Sequence, residues 1–177
     1  MRTITLVFIS AAIVIGLAAG PVHARLIPSW PYERLFKEAD VVVIARAEDT
    51  NDTKDRFSAD GWKVEFVGQD TRFVAQSVLK GKLGDEKMFT VLHYRLPERV
   101  AIINGPLLVK FRHDSLMLSG TVNGTKFQAD LGRPEYMLFL RLRKDGRFEP
   151  VSGQFDPALS VRELHPADGF FSGLGKK

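Results

Sequence analysis

Turn-forming residues divide most of this 177-residue chain into short apolar segments, and that spacing limits the folds open to it. Roughly seven to nine segments have strand character, and turn signals recur about every 8 to 12 residues. In Trp62–Phe66, apolar and polar residues alternate, which is typical of a strand with one buried face. The pattern therefore predicts an all-β domain. A small barrel is preferred to a sandwich, because closing a sheet removes its exposed edges.

The segment Leu116–Leu131 carries the clearest hairpin signal in the chain. Asn123–Gly124 is the preferred two-residue type I′ turn, since both central residues must adopt a positive φ angle. Folding at this turn would place Phe127 opposite Gly120, where the ring covers bare backbone. It would also place mostly apolar side chains on one face and polar side chains on the other. A slip of one residue would destroy that sorting, so the sequence specifies the register.

One short helix and a succession of strands are predicted in the rest of the mature chain. The helix is Tyr32–Ala39. A three-residue loop at Lys144–Gly146 would set Leu142 opposite Phe148, which pairs two apolar residues. Gly68–Asp70 is predicted to interrupt a strand. The remaining strands are predicted at Val41–Ala45, Arg72–Leu79, Met88–Tyr94, Tyr136–Leu142, Phe148–Val151 and, as a strand or a helical turn, Val161–Leu164.

The first residues have the order of a secretory signal. Arg2 gives a positive start, Ile4–Ala19 is an apolar run without a charge, and Val22–Ala24 ends it with small residues. We therefore interpret residues 1–24 as a cleavable signal peptide, so that the mature chain begins at Arg25. The expected location is periplasmic or extracellular. The alternative is an uncleaved anchor, although the apolar run is short for a membrane-spanning helix.

The mature chain has the length of one domain. Residues 25–165 are predicted to form a single β-barrel domain, and the glycine-rich residues 166–177 a flexible C-terminal tail. No later segment of the sequence approaches membrane-spanning length, so stable membrane insertion after cleavage is not expected.

The sequence contains no cysteine, which excludes disulfides, thiol catalysis and thiolate metal sites. The formal net charge is +4, but the basic residues are scattered among acidic ones. Proteins that bind nucleic acids usually carry a concentrated basic patch or stripe. A nucleic-acid partner is therefore not expected.

Short structural motifs are spread along the chain. A short helix leads into one strand, another strand ends in a lysine–glycine turn, and later come an apolar strand, a turn and a small-residue step: Asp40–Arg46, Ser77–Gly81, Tyr136–Leu140, Asp145–Gly146 and Val151–Gly153. Together they resemble the netrin-like, tissue-inhibitor-of-metalloproteinases type of OB-fold, in the cysteine-free form of exported bacterial proteins. The resemblance covers about residues 31–153 and implies a small OB-like β-barrel with one short N-terminal helix.

The same resemblance implies an inhibitory activity that this chain cannot reproduce by the same means. Those inhibitors bind the metal of the protease through an N-terminal cysteine, and the mature chain here would begin Arg25–Leu26. The inhibitory residue has no counterpart. The fold is therefore expected to carry over, whereas the activity is not.

Few residues suggest chemistry. His113–Asp114 could form an oriented general base, and His93 lies within a predicted strand, where a partly buried or rim position is the simpler interpretation. His165 is placed in a loop after the last element. The histidines lack the spacing of a metal-binding helix. No catalytic residue, cofactor or metal is therefore assigned.

The polar stretch Glu48–Gly61 is predicted to be a loop. Oxygen ligands of this kind suit calcium, but the EF-hand spacing fails and Lys54 and Arg56 dilute the charge. A solvated loop is preferred. The acidic residues concerned are Glu48, Asp49, Asp52, Asp55 and Asp60.

Five aromatic residues could line a binding groove on a barrel face or fill its core. The core is preferred, because aromatic residues that alternate along strands usually pack inside. They are Trp30, Trp62, Phe66, Phe73 and Tyr94.

These observations predict an exported, non-enzymatic binding or interaction module whose partner is another extracytoplasmic protein. The first alternative is a protease inhibitor or regulator, suggested by the resemblance alone. The second is an enzyme of unknown class that uses His113, Asp114 or His93. The sequence leaves the oligomeric state open.

Overall fold

The computed structural model of this protein describes residues 25–164, with the exception of Pro28, Asp60 and Asp85. The predicted signal peptide (1–24) and the predicted tail (166–177) lie outside the described residues. Among the residues described, no helix combines the length and the hydropathy needed to cross a membrane.

One helix, α1 (Tyr32–Glu38), precedes the strands and confirms the predicted N-terminal helix. A short 3₁₀ turn, Pro157–Ser160, leads into the last strand. Eight strands are formed by the described residues: β1 (Val41–Ser58), β2 (Glu65–Lys80), β3 (Met88–Arg95), β4 (Met117–Val122), β5 (Thr125–Asp130), β6 (Glu135–Leu142), β7 (Phe148–Pro150) and β8 (Val161–Leu164).

Five strands form a partly closed ring in the order β1–β2–β3–β7–β6, and β6 returns to pair with β1. The neighbours are antiparallel except β3 and β7, which run parallel and meet at Val91 and Phe148. This arrangement is a small OB-like barrel, as predicted. Strand β8 pairs with β6. Strands β4 and β5, which come between β3 and β6 in the sequence, form a separate two-stranded sheet.

Irregular pairing allows β1 and β2 to curve around the barrel. The register between these two strands shifts at four places, the last between Asp52 and Arg56. Bulges of this kind bend a strand and increase its twist, as a closed sheet requires. Strand β1 can therefore pair with β2 on one side and with β6 on the other. Val43, for example, lies between Val78 and Leu138.

The prediction of a loop at Glu48–Gly61 is wrong for most of that stretch, because β1 continues to Ser58. Polar cross-strand contacts stabilise this half of the strand. Asp49 lies directly opposite Arg72, and the guanidinium Nε donates to the carboxylate Oδ1 at 2.6 Å. A solvated antiparallel strand can be stabilised by such pairs, so it needs no apolar alternation.

The prediction that Gly68–Asp70 interrupts a strand is also wrong, because β2 runs through these residues. Gly68 lies opposite the last irregularity of β1. A Cβ atom at this position would lie 2.6 Å from Thr53 Oγ1 and 2.7 Å from Asp55 Cβ. The glycine is needed because the backbone of strand β1 approaches closely, and β2 does not end there.

The barrel interior is filled by alternate residues of β1 and by aromatic rings. Val41, Val43, Ala45 and Ala47 point inward and are buried. Phe73 lies among them and meets the ring of Phe111 edge to face, with the ring centroids 4.8 Å apart. On the outside of the barrel, Leu35 of α1 packs with Val42 and Phe139.

The preference for core packing among the five candidate aromatics is confirmed for Phe66, Phe73 and Tyr94, which are buried. Trp30 and Trp62 are only half-buried. Trp30 packs against the cluster beneath α1, and the ring of Trp62 lies 6.0 Å from that of Phe155.

The predicted hairpin is confirmed residue by residue. Val122 pairs with Thr125, Gly120 with Phe127, and Leu118 with Ala129. The Phe127 ring covers Gly120, since a Cβ atom added there would lie 2.7 Å from ring atom Cε1.

The predicted three-residue loop is confirmed as well. Leu142 pairs with Phe148, and Gly146 has a φ angle of 84°. The amide of Gly146 donates to the carbonyl of Arg143 at 3.1 Å and closes the turn.

Candidate ligand-binding cavity

One end of the barrel interior is polar. Thr50 of β1 and His93 of β3 follow inward-facing apolar residues on their own strands. Thr71 of β2 precedes the inward-facing Phe73 by two residues. Thr71 is fully buried, and His93 is 1% exposed. The three side chains therefore lie where the apolar layer of the barrel ends, although their positions in the sequence are far apart.

Hydrogen bonds join these residues to a second histidine. The Nε2 atom of His93 lies 2.7 Å from Thr71 Oγ1, and Thr71 Oγ1 lies 2.6 Å from Thr50 Oγ1. The last link joins Thr50 Oγ1 to His113 Nε2 at 3.1 Å. We call these four residues the histidine relay.

The number of available protons constrains the relay. Its three links need three protons, and the two threonine hydroxyls supply two of them. At least one imidazole must therefore donate from Nε2. In a neutral ring that donates from Nε2, the Nδ1 atom carries a lone pair and no proton.

Among the described residues, neither His93 Nδ1 nor His113 Nδ1 has a hydrogen-bond partner, although both atoms are buried. Whichever ring donates from Nε2 in its neutral form therefore has an unmet acceptor at Nδ1. Burial lowers the pKa of His93 to about 4, so this ring is neutral at pH 7. Buried polar groups without partners are uncommon in folded proteins and call for an explanation.

A cavity of about 490 Å³ adjoins the relay, and we call it the relay cavity. Thr50, His93 and His113 contribute to its lining. So do apolar side chains, a glutamine and two cationic residues. The remaining lining residues are Gln69, Tyr94, Arg95, Leu96, Leu108, Val109, Lys110 and Phe111.

The charges around the relay cavity are unequal. No aspartate or glutamate is among its lining residues. The guanidinium of Arg95 binds the carboxylate of Asp52, and this hydrogen bond lowers the Asp52 pKa to about 2. Arg95 is thus neutralised by a neighbour, whereas Lys110 lines the cavity from the covering segment.

The covering segment is residues 107–113, which have no regular secondary structure and close this side of the barrel. Its start is fixed by the Leu107 amide, which donates to Asp156 Oδ1 at 3.0 Å. Further along, the Arg112 amide donates to the hydroxyl of Tyr136 at 2.8 Å. Phe111 is buried between them and contacts His93 edge to face, with centroids 5.0 Å apart.

The structure brings together two of the histidines singled out in the sequence. His93 and His113 share the relay. The sequence predicts a partly buried or rim position for His93, and the structure places this side chain inside the barrel. Asp114 is exposed and is not a member of the relay, so a His113–Asp114 base is not the arrangement that forms. His165 lies outside the described residues.

The acidic residues considered as calcium ligands are bound by arginine. Asp55 accepts two hydrogen bonds from Arg147, at 2.8 and 3.1 Å, and this contact lowers its pKa to about 2. Within the described residues, no group of three His, Asp or Glu side chains could hold a metal ion. The other pairs are Glu48 with Arg133, Asp49 with Arg72, and Asp52 with Arg95; Asp60 is not described.

Sequence reasoning missed Thr50 and Thr71, which connect the two histidines. The sequence pattern predicts a loop at Thr50 and therefore gives no sign that this residue lies on a strand. A weak signal was present for Thr71, because it is two residues from Phe73 and shares its face of the strand. A buried threonine on an otherwise apolar face needs a hydrogen-bond partner, which points to a polar neighbour on another strand.

A second, more apolar groove lies outside the barrel. It has a volume of about 530 Å³ and runs beside α1. Tyr32, Phe36 and Leu79, which line this groove, are exposed hydrophobic residues. We call it the α1 groove. It lacks a buried unpartnered polar atom, as far as the described residues show.

Comparison with known proteins adds no identification. No protein-family model matches the chain, and the search of curated proteins found no match. The resemblance to netrin-like domains therefore stays a hypothesis.

Proposed function

We propose that this protein is an exported, non-enzymatic binding module that takes a small ligand in the relay cavity. One observation carries the proposal. Two buried histidine nitrogens, on His93 and His113, lack partners beside a cavity of about 490 Å³. Ligand pockets have volumes of about 300–1,000 Å³, mostly apolar linings and a few well-placed polar groups. A bound ligand would supply the missing hydrogen bond.

The histidine relay is also the one observation that favours an enzyme. A catalytic base works best when its pKa lies near the working pH. Burial lowers the pKa of His93 to about 4, far from that range, and Asp114 does not orient His113. The relay therefore suits ligand recognition better than proton transfer.

Two sequence-based hypotheses remain beside this proposal. The protease-inhibitor alternative rests on the resemblance to netrin-like domains alone. The partner expected from the sequence, another extracytoplasmic protein, stays a prediction. Under either hypothesis, the purified protein would retain a protein partner and not a small molecule.

The proposed function can be tested by native mass spectrometry. The tagged full chain would be expressed in its source cells and purified under native conditions from the extracytoplasmic fraction. We expect a small-molecule adduct that is released on denaturation. Gln69→Trp, which fills the relay cavity, should abolish the adduct. Gln76→Trp, an exposed position on the same strand β2, should retain it.

Absence of an adduct from the wild-type protein, even after incubation with concentrated extract of the same fraction, would contradict the proposal. An adduct that survives in Gln69→Trp would place the site elsewhere.

A further inference from the structure

Building on that proposed function, we propose that the relay cavity selects a small organic anion that has an apolar body and one hydrogen-bond donor. The charges, the hydrogen-bonding groups and the apolar surface of the lining each define one feature of this ligand.

The charge of the ligand follows from the lining of the relay cavity. Arg95 is matched by Asp52, whereas Lys110, an exposed residue of the covering segment, has no carboxylate beside it among the lining residues. A cavity with low-dielectric walls and one sign of charge favours ligands of the opposite sign. A cationic ligand would meet Lys110 and find no acidic residue in the lining. An anionic group is therefore the better match.

The hydrogen-bond donor follows from the count of protons in the histidine relay. A relay ring that donates from Nε2 in its neutral form, whether His93 or His113, leaves its Nδ1 as an acceptor without a donor among the described residues. A hydroxyl or N–H group of the ligand would satisfy it. A ligand with acceptors only would leave this buried atom unpaired, which costs free energy.

The apolar body follows from the side chains that complete the lining. Leu96, Leu108, Val109 and Phe111 contribute hydrocarbon surface to the relay cavity. Such surface favours an aromatic or aliphatic skeleton over a sugar or a bare inorganic ion. The ligand is thus amphipathic, with its charge beside Lys110 and its donor beside the histidines.

Two fluorescent probes separate these features. Anilinonaphthalene sulfonate has an aromatic body, an N–H donor and a negative charge, and phenylnaphthylamine has the same body and donor without the charge. We expect the sulfonate to bind the wild-type full-length protein more tightly than the neutral amine. Gln69→Trp should weaken the binding of both probes.

The charge is tested by Lys110→Gln, with Lys126→Gln as the matched control on the exposed strand β5. Lys110→Gln should weaken sulfonate binding about tenfold, as expected for loss of one charge-assisted contact, and should leave the neutral amine unchanged. Lys126→Gln should change neither affinity. Equal affinities of the two probes, both lost in Gln69→Trp, would overturn the anionic class and leave the proposed function standing.

The donor is tested by nitrogen NMR of protein labelled with ¹⁵N-histidine. We expect at least one relay ring to show an unprotonated Nδ1, whose resonance moves when the sulfonate probe is added. Naphthalene sulfonate, which lacks the N–H group, should move it less. Identical shifts with the two sulfonates would contradict the role assigned to the donor.

The α1 groove is the competing site for apolar probes. Leu79 lines that groove, and Leu79→Gln should leave the affinity of the protein for the sulfonate probe unchanged. If Leu79→Gln weakens binding and Gln69→Trp does not, the inference and the proposed function are both wrong.

Discussion

The imidazole Nε2 of His93 lies 2.7 Å from the hydroxyl oxygen of Thr71, at the end of the apolar core of the barrel. The contact joins adjacent strands, β3 and β2, and begins the chain of hydrogen bonds that ends at His113. The chain of hydrogen bonds engages the Nε2 atoms of both histidines, whereas their Nδ1 atoms have no partner among the described residues.

Protonation of His93 should make stability depend on pH. The pKa of His93 is about 4 in the folded protein and 6.5 when exposed, because burial disfavours the charged ring. The unfolded state therefore binds more protons between these values, and stability falls as the pH is lowered through that range. Between pH 7.5 and pH 5 the loss should be about 2 kcal/mol.

Urea unfolding at the two pH values measures this loss, and His93→Gln is the comparison because it cannot gain the proton. The variant should lose much less stability on acidification than the wild type. The arginine-bound carboxylates affect stability in a lower pH range, since the pKa of Asp52 and of Asp55 falls from 3.8 to about 2. Their stabilising effect is present above pH 3.8 and disappears towards pH 2. An identical pH dependence in both proteins would contradict the burial assigned to His93.

Thr71→Val should destabilise the protein by about 1–3 kcal/mol, although the two side chains have similar shapes. The change removes a fully buried hydroxyl that contacts both His93 and Thr50. Thr90→Val, a half-buried position on β3 outside the relay, is the control and should cost less. Chemical denaturation measures both values. Equal losses would mean that the relay contributes nothing specific to stability.

Arg147→Met should destabilise the protein by about 1–3 kcal/mol. The guanidinium binds Asp55, Asp70 at 2.9 Å and Asp145 at 2.7 Å, so one side chain ties the β6–β7 loop to β1 and β2. Its removal leaves three carboxylates close together without their shared cation.

The control for Arg147 is Arg46→Met, which removes a single exposed pair with Glu135. That loss should be at most about 1 kcal/mol, because exposed ion pairs contribute little. Thermal unfolding at low and at high salt compares the two variants. The assignment fails if Arg46→Met is the more damaging change.

Gly68→Ala should be more destabilising than Gly120→Ala. At Gly68 the new Cβ atom meets Thr53 Oγ1, the Asp55 Cβ atom and, at 2.9 Å, the backbone oxygen of Asp55. At Gly120 it meets only atoms of the Phe127 ring, which can move aside. Denaturation midpoints of the two variants provide the measurement, and the reverse order would exclude the close approach of β1 and β2.

The mature protein should begin at Arg25. Intact mass spectrometry of the exported protein measures the cleavage site, and Ala24→Phe should block cleavage because the last residue of a signal peptide must be small. Ala12→Leu, within the apolar run, should be processed normally. An intact N-terminus on membrane-bound wild-type protein would instead support the uncleaved anchor.

Local chemistry determined much of the architecture. The Asn123–Gly124 turn restricts its own φ angles, so the pairing of Gly120 with Phe127 followed from a few neighbouring residues. The short strands and frequent turns predicted a closed β fold in the same way. Where polar residues form a strand, as in the second half of β1, the sequence pattern gave no such signal. The partners that stabilise that half, Arg72 and Arg147 among them, lie on other strands.

The candidate site was decided by the tertiary structure. His93 and His113 were visible in the sequence as single residues, but nothing local joins them to Thr50 and Thr71. Ring closure of β1, β2 and β3, with the covering segment laid across the barrel end, brings the four side chains within hydrogen-bonding distance. The sequence by itself determined the class of fold through contacts between near neighbours. The cavity and its unpaired nitrogens arise from contacts between residues distant in the chain, which only the closed barrel brings together.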